Sequence, residues 1–371
     1  MASSINERFL DFQIAQQVRW IRFQNREVRE ALKILMRVDA DLKAALEGAR
    51  IGEGTFTEAR LNALRVQITN LINAIHMQVT ASVTTAVKEV SIAAAEVEHQ
   101  AFTRILPAGL DVTTPNLGVL QTAASLRPFN GGVLADWTDQ LRVADLQRTW
   151  RTILDGITSG TTTDDLVSSL IGTRSLRYKD GVREVTRRGL ETLVRTSINH
   201  ATNQGRQMVW EANTDLLKGV RWVSTLDSRT TPICQERDGK VGPVVEDPNW
   251  SPPQGADRLD PPMARPPAHM NCRSTTVAVT KSWQELGFDV KDLPEGTRAS
   301  MNGQVPASMT YFQWLDKQSA ATQKEVLGPT RLALWKEGGI TPDRFQNDAG
   351  HLYTLAELKQ RQPQAFKDAG L

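Results

Sequence analysis

The sequence predicts an α+β protein that is predominantly α: a long N-terminal helical hairpin and further helices, then a small mixed domain with an antiparallel strand pair and a long proline-rich loop. Three observations point there. Apolar residues recur every three to four positions through much of the chain up to Leu217. At Gly219 this spacing gives way to the alternation of a strand in Val220-Arg221-Trp222-Val223-Ser224-Thr225-Leu226. Eight prolines then crowd the stretch from Pro243 to Pro267, before a second strand-like run, Ser274 to Val279.

From Phe9 to about Leu46, the apolar positions Phe9, Phe12, Val18, Ile21, Val28, Leu32, Leu35, Val38 and Leu42 mark one helix, with Gly48, Gly52 and Gly54 expected to end it. Thr57 can cap a second, whose apolar face runs through Leu61, Leu64, Ile68, Leu71, Ile75, Val79 and Val83, with a further helical run from about Val87 to Pro107. The short glycine-rich turn between them predicts an antiparallel hairpin, with Trp20 and Phe23 in its core. Breakers at Asp111, Pro115, Gly118 and Pro128 mark a connecting segment. Helix is expected at Trp137–Leu154, again from Thr163 with Thr163 or Asp164 as cap, and at Val182 to about Leu217. The C-terminal region reads as short helices at Thr310–Leu315, Ala320–Leu327 and Thr330–Gly338, the last two parted by Gly328-Pro329, with a final turn at 352–358. Four segments follow: the hairpin at 1–106, a connecting helical segment at 107–180, the mixed domain at 181–285 and a small helical module at 286–371.

The 371 residues exceed one ordinary core, and 40% hydrophobic with 23% charged residues excludes wholesale disorder. The formal charge of +2 leaves no global field for nucleic acid or anionic lipid. A local basic strip could still contact DNA phosphates, through Arg174, Arg177, Lys179, Arg183, Arg187 and Arg188. Its other reading is a solvated face with ion pairs within the helix. Two cysteines cannot make a disulfide framework. The first residues lack the basic-then-apolar build of a secretory signal, and no stretch approaches the ~20 apolar residues of a membrane span. A chain made and assembled in a reducing cytoplasm is expected.

The chain's best soft-metal ligands, Cys234, His269 and Cys272, lie at the two ends of the proline-rich loop. If the flanking strands pair, these ends become neighbours. His269-x-x-Cys272 has the gap of a zinc half-site, which suggests a structural zinc ion with Asp227, Asp238 or His200 as a fourth ligand. Buried, inert thiols are the alternative, as is a disulfide between Cys234 and Cys272, which a reducing compartment disfavours. A thiol hydrolase with Cys234 as nucleophile, His269 as base and Asp227 orienting it is a further one.

Arg195-Thr196 on a helix, Trp222, the run Asp227-Ser228-Arg229-Thr230 leading to Cys234, Asp238-Gly239, and Pro267-Ala268-His269-Met270-Asn271-Cys272-Arg273 together resemble the Mu F-like family of phage head morphogenesis, or minor head, proteins. The resemblance covers about residues 185–280. Family members often end in Cys-Arg-Cys where this chain has Cys272-Arg273-Ser274. The resemblance implies a structural protein, not an enzyme, of a tailed bacteriophage. It would sit in the virion near the portal, in several copies, after assembly in the host cytoplasm. Portal, major capsid or scaffolding protein would be partners, packaged DNA another, and the hairpin a docking element. Delivery with the genome is known of some relatives. A thiol- or metal-dependent hydrolase and a DNA-binding ejection protein are the competing functions.

Overall fold

The computed structural model describes residues 5–49, 51, 57–106, 110–282, 284–287, 297–347 and 350–371, and within 5–18 only the side chains of Phe12 and Gln16. Gly52, Gly54 and Pro107, used above as boundaries, lie outside the described residues.

Two long helices open the chain, α1 (Ile5–Ala49) and α2 (Glu58–Ile105). Gly48 falls inside α1 and does not end it. Val28, Ala31, Leu35, Val38 and Leu42 are buried at helical spacing, as are Leu64, Ile68, Ile75, Val79 and Val83 on α2. Thr57 accepts the Arg60 N–H at 3.4 Å, the expected cap, and α2 then runs through Val87 without a break.

The expected connecting segment contains a helix, α3 (Leu117–Leu126), because Leu120, Ala123 and Ala124 share a face that is buried. Next come α4 (Leu134–Thr158) and α5 (Thr163–Ile171). Gly156 does not end α4: a Cβ there would lie 2.7 Å from Leu166 Cδ1, so the glycine lets α4 and α5 approach. The α5 cap is Thr162, which accepts from the Asp165 N–H at 3.2 Å, one residue before the position expected. The last long helix is α6 (Arg183–Glu211).

Strand β1 (Leu217–Val223) precedes a short helix, α7 (Pro232–Arg237), and the two-residue strand β2 (Val241–Gly242). Strand β3 (Thr275–Thr280) pairs antiparallel with β1, Trp222 opposite Thr276, and the sheet order is β2-β1-β3. The strand pair read from alternation is therefore present. A second hairpin joins β4 (Thr297–Ser300) to β5 (Gly303–Pro306). The chain ends in α8 (Tyr311–Asp316), α9 (Ala320–Lys336), α10 (Leu355–Arg361) and α11 (Pro363–Asp368), and α9 kinks at Gly328, before Pro329.

Two compact units result: one comprises Met1–Arg19, Ala93–Asn116 and Asn203–Leu371, the other Trp20–Ile92 and Leu117–Thr202. They interleave along the chain, whereas the four segments read from sequence are consecutive.

Within the second unit, the apolar faces of α1 and α2 are accompanied by a buried polar seam. Arg183 on α6 donates to Asp39 on α1 at 2.7 Å and to both carboxylate oxygens of Asp145 on α4 at 3.0 Å. Arg187 reaches Asp39 at 2.6 Å, and His76 on α2 lies 2.9 Å from Asp145. Burial would raise the Asp145 pKa, but the His76 bond and the Arg183 charge hold it below the usual value. The hairpin region is thus tied to α4 and α6 and is not an unpartnered arm.

In the first unit, Ala101, Phe102, Trp210, Leu217, Val220, Val277 and Ala278 form the core between the helices and the sheet. Glu98 accepts from Arg206 Nε at 3.1 Å and from the Trp210 indole at 2.8 Å, and Arg206 also reaches the Thr276 carbonyl at 2.6 Å. These bonds fix the end of α6 against β3.

Candidate functional site

Between β1 and β3 the chain makes a long excursion, and its ends are pinned. Val241 donates to the Asp257 carbonyl at 2.9 Å and accepts from Leu259 at 2.8 Å, and the Trp250 indole reaches the Lys218 carbonyl at 2.8 Å. A Cβ on Gly242 would lie 2.1 Å from the Pro262 carbonyl oxygen, so only glycine admits this crossing. Arg265 bonds to Gln207 at 2.9 Å. The proline-rich stretch is ordered because its backbone groups find partners.

Closing the base of the excursion brings Cys234, His269 and Cys272 together, all ligand atoms within 4.8 Å of one another. Cys234 Sγ is 3.7 Å from Cys272 Sγ and 3.3 Å from His269 Nε2. Cys234 sits in the first turn of α7, after Pro232, whose missing N–H costs nothing there. His269 and Cys272 are linked by a tight turn, with the Cys272 N–H on the His269 carbonyl at 3.1 Å and Asn271 at φ 61°. Both sulfurs are buried, packed with Trp222 and Leu259, while His269 is half-buried.

His269 Nδ1 lies 2.8 Å from the Met270 carbonyl oxygen, an acceptor only, so Nδ1 carries the proton and Nε2 presents its lone pair to Cys234 and the Thr231 hydroxyl. The two thiols cannot both ionise cheaply side by side. The neighbouring Cys234, aided by His269, holds the Cys272 thiol well below its usual range against burial, and Cys234 is pushed up by Cys272 and by burial. The imidazole is raised by its bond to Cys272.

Asp227 stands apart from the thiols. Arg273 donates to both its oxygens, one bond measuring 2.8 Å, and the Arg229 N–H and Thr230 hydroxyl bind it at 3.0 and 3.2 Å. Burial would raise the Asp227 pKa; the Arg273 bond lowers it overall. Of the other residues weighed as a fourth ligand, Asp238 accepts from the Ser224 N–H at 2.7 Å and from Arg298, and His200 bonds to the Arg127 carbonyl at 3.2 Å. Asp227 does not orient His269 either, because the Met270 carbonyl holds that nitrogen. The triad expected of a thiol hydrolase is therefore not assembled.

The remaining motif residues support this core. Trp222 is fully buried and donates to Ser224 Oγ at 2.9 Å, which in turn donates to the Cys234 carbonyl at 2.6 Å. Gly239, at φ 84°, bonds back to the Trp222 carbonyl at 2.9 Å, and Pro267 is buried just before His269. Arg195 pairs with Glu191 and Thr196 with the Thr192 carbonyl, both along α6.

Residues 149–277 match the family model described as Phage Mu protein F like protein. No curated protein and no solved structure matches the chain. The Mu F-like match begins in α4 and ends in β3, so it includes the whole excursion and its cluster. It supports the resemblance read from the motifs.

Two groups beyond the Mu F-like match also hold the site, and sequence reading missed them. Arg298 on β4 makes two 3.0 Å bonds to Asp238 and one to the Ser224 carbonyl, and Tyr311 donates to the Asp227 carbonyl at 3.0 Å. Arg237, stacked 5.2 Å from the Trp222 ring centroid, was missed as well. A buried arginine needs a partner, but nothing local in the sequence names it.

The basic strip divides. Arg183 and Arg187 turn inward to Asp39 and Asp145, and exposed Arg188 pairs with Glu184 at 3.0 Å. Arg174, Arg177 and Lys179 are exposed on a loop whose base is closed by Asp180 on the Thr173 N–H and hydroxyl, each at 2.8 Å. None of the three makes an ion pair among the described residues.

Proposed function

We propose that this chain is a structural minor head protein of a tailed bacteriophage, associated with the portal inside the capsid and acting in head morphogenesis. The observation that carries the reading is the Mu F-like match over residues 149–277, which falls on the excursion whose clasped ends hold the motif residues. Burial of both thiols and the diversion of Asp227 to Arg273 favour a structural use of this centre over a hydrolytic one. Portal protein and the major capsid or scaffolding protein are the partners, with several copies around the portal in the virion and delivery with the genome. Among the described residues no helix is long and apolar enough to cross a membrane.

A second reading rests on the loop carrying Arg174, Arg177 and Lys179. Three exposed cations, none in an ion pair among the described residues, suit contact with packaged DNA phosphates.

The test is a phage carrying an epitope-tagged chain. The tag is expected in purified heads, with density adjoining the portal. Heads that lack the protein yet package and infect at normal yield would overturn the reading. Deleting residues 9–100 is a poor substitute, because α1 and α2 contribute to both compact units and their loss removes core.

A further inference from the structure

The soft donors at the base of the excursion have the spacing that a tetrahedral ion imposes. Zn–S bonds of about 2.3 Å and Zn–N bonds of about 2.0–2.1 Å at tetrahedral angles put two sulfurs about 3.8 Å apart and a sulfur and nitrogen about 3.5 Å apart. The corresponding separations here are 3.7 Å for the two sulfurs and 3.3 Å for Cys234 Sγ to His269 Nε2. A disulfide would need the sulfurs at about 2.05 Å.

We propose that Cys234, His269 and Cys272 bind one Zn²⁺ ion that joins α7 to the turn before β3 and so locks the excursion. The proposal goes beyond the head-protein reading and can fail without touching it. Three features of the surroundings fit. The Met270 carbonyl fixes the imidazole with its Nε2 lone pair toward Cys234, the arrangement a ligating histidine needs. The donors are sulfur and imidazole nitrogen with no carboxylate among them, which selects zinc over magnesium or calcium. Two thiolates and a neutral imidazole cancel the charge of a divalent ion, so the buried centre carries no net charge, whereas two thiolates without the ion would be costly to bury.

Three protein ligands leave one tetrahedral position for solvent. The Ser274 hydroxyl bonds to Ser224 Oγ at 3.3 Å, and Ser224 Oγ in turn holds the Cys234 carbonyl, which puts residue 274 beside the ligand set. Replacing that hydroxyl with a thiol offers a fourth ligand.

The full-length protein, purified under reducing conditions and treated with chelator, is titrated with Co²⁺ as a spectroscopic stand-in for Zn²⁺. The expected result is saturation at one equivalent with sulfur-to-metal charge transfer and the intense visible bands of tetrahedral cobalt, all displaced by Zn²⁺. Cys234→Ser and Cys272→Ser should each lose the charge-transfer band, and Ser274→Cys should strengthen it and hold the metal against a competing chelator that strips the wild type. Because the serine variants could simply misfold, wild-type thiol reactivity is measured too. Both thiols should be protected with Zn²⁺ present and react once it is removed. A wild-type chain that takes up no stoichiometric Co²⁺, or whose thiols react equally fast with and without Zn²⁺, would overturn the proposal.

Discussion

Asp227 and Arg273, 46 positions apart, grip each other through paired bonds to both carboxylate oxygens, and the pair joins the start of the excursion after β1 to its return before β3. The clasp stands beside the cysteine–histidine cluster, and neither of its residues contributes a cluster ligand atom.

Asp227→Asn should therefore loosen the excursion without removing a thiol or the imidazole. Charge-assisted bonds of this kind, partly open to solvent, contribute about 1–2 kcal/mol. A lowered urea midpoint together with faster limited proteolysis between residues 243 and 267 is the expected outcome. Unchanged proteolysis of that stretch would show that the prolines and backbone bonds order it without the clasp.

Glu98 offers a sharper case. Glu98→Ala leaves the Arg206 guanidinium and the Trp210 indole buried without their carboxylate, which should cost about 3–5 kcal/mol. Arg188→Ala breaks only an exposed helical pair with Glu184 and should cost about 0.3–0.5 kcal/mol. Urea denaturation of the two variants side by side measures the contrast.

His200 makes stability depend on pH. It is buried against Phe129, and burial lowers its pKa from 6.5 to about 4. Between those values the unfolded chain binds a proton that the folded chain refuses, so this contribution is complete above pH 6.5 and is lost as pH falls toward 4. The loss should amount to about 3 kcal/mol. Urea midpoints measured across pH 4.5–7 should show this slope in the wild type and a flatter profile in His200→Gln.

If the exposed loop meets DNA, replacing Arg174, Arg177 and Lys179 together with alanine should weaken duplex binding. It should also make the slope of log K against log salt shallower by about 2–3, while Arg188→Ala changes it little. An unchanged slope would place phosphate contact elsewhere.

Much of the architecture was readable from spacing. The apolar series of Val28, Leu35, Val38 and Leu42, and of Leu64, Ile68, Ile75 and Val79, are the buried faces of α1 and α2. The alternation after Gly219 became β1, and the run at Ser274–Val279 became β3. Helix α3 was missed because glycine and proline around a ten-residue segment outweighed its short apolar repeat. Helix α4 runs past its expected end at Leu154, through Gly156, where the missing side chain admits the close approach of Leu166.

By itself the sequence determined which faces are apolar, where helix gives way to strand, and that Cys234, His269 and Cys272 would meet once those strands paired. Tertiary structure alone decided what each charged group does. Arg183 looked like part of a DNA-facing strip, yet its partner Asp39 lies 144 positions away, and Asp227 met Arg273 and not His269. Periodicity records how a residue sits relative to its near neighbours in the chain. The partner that satisfies a buried charge comes from whichever element the fold lays against it, and no local pattern carries that information.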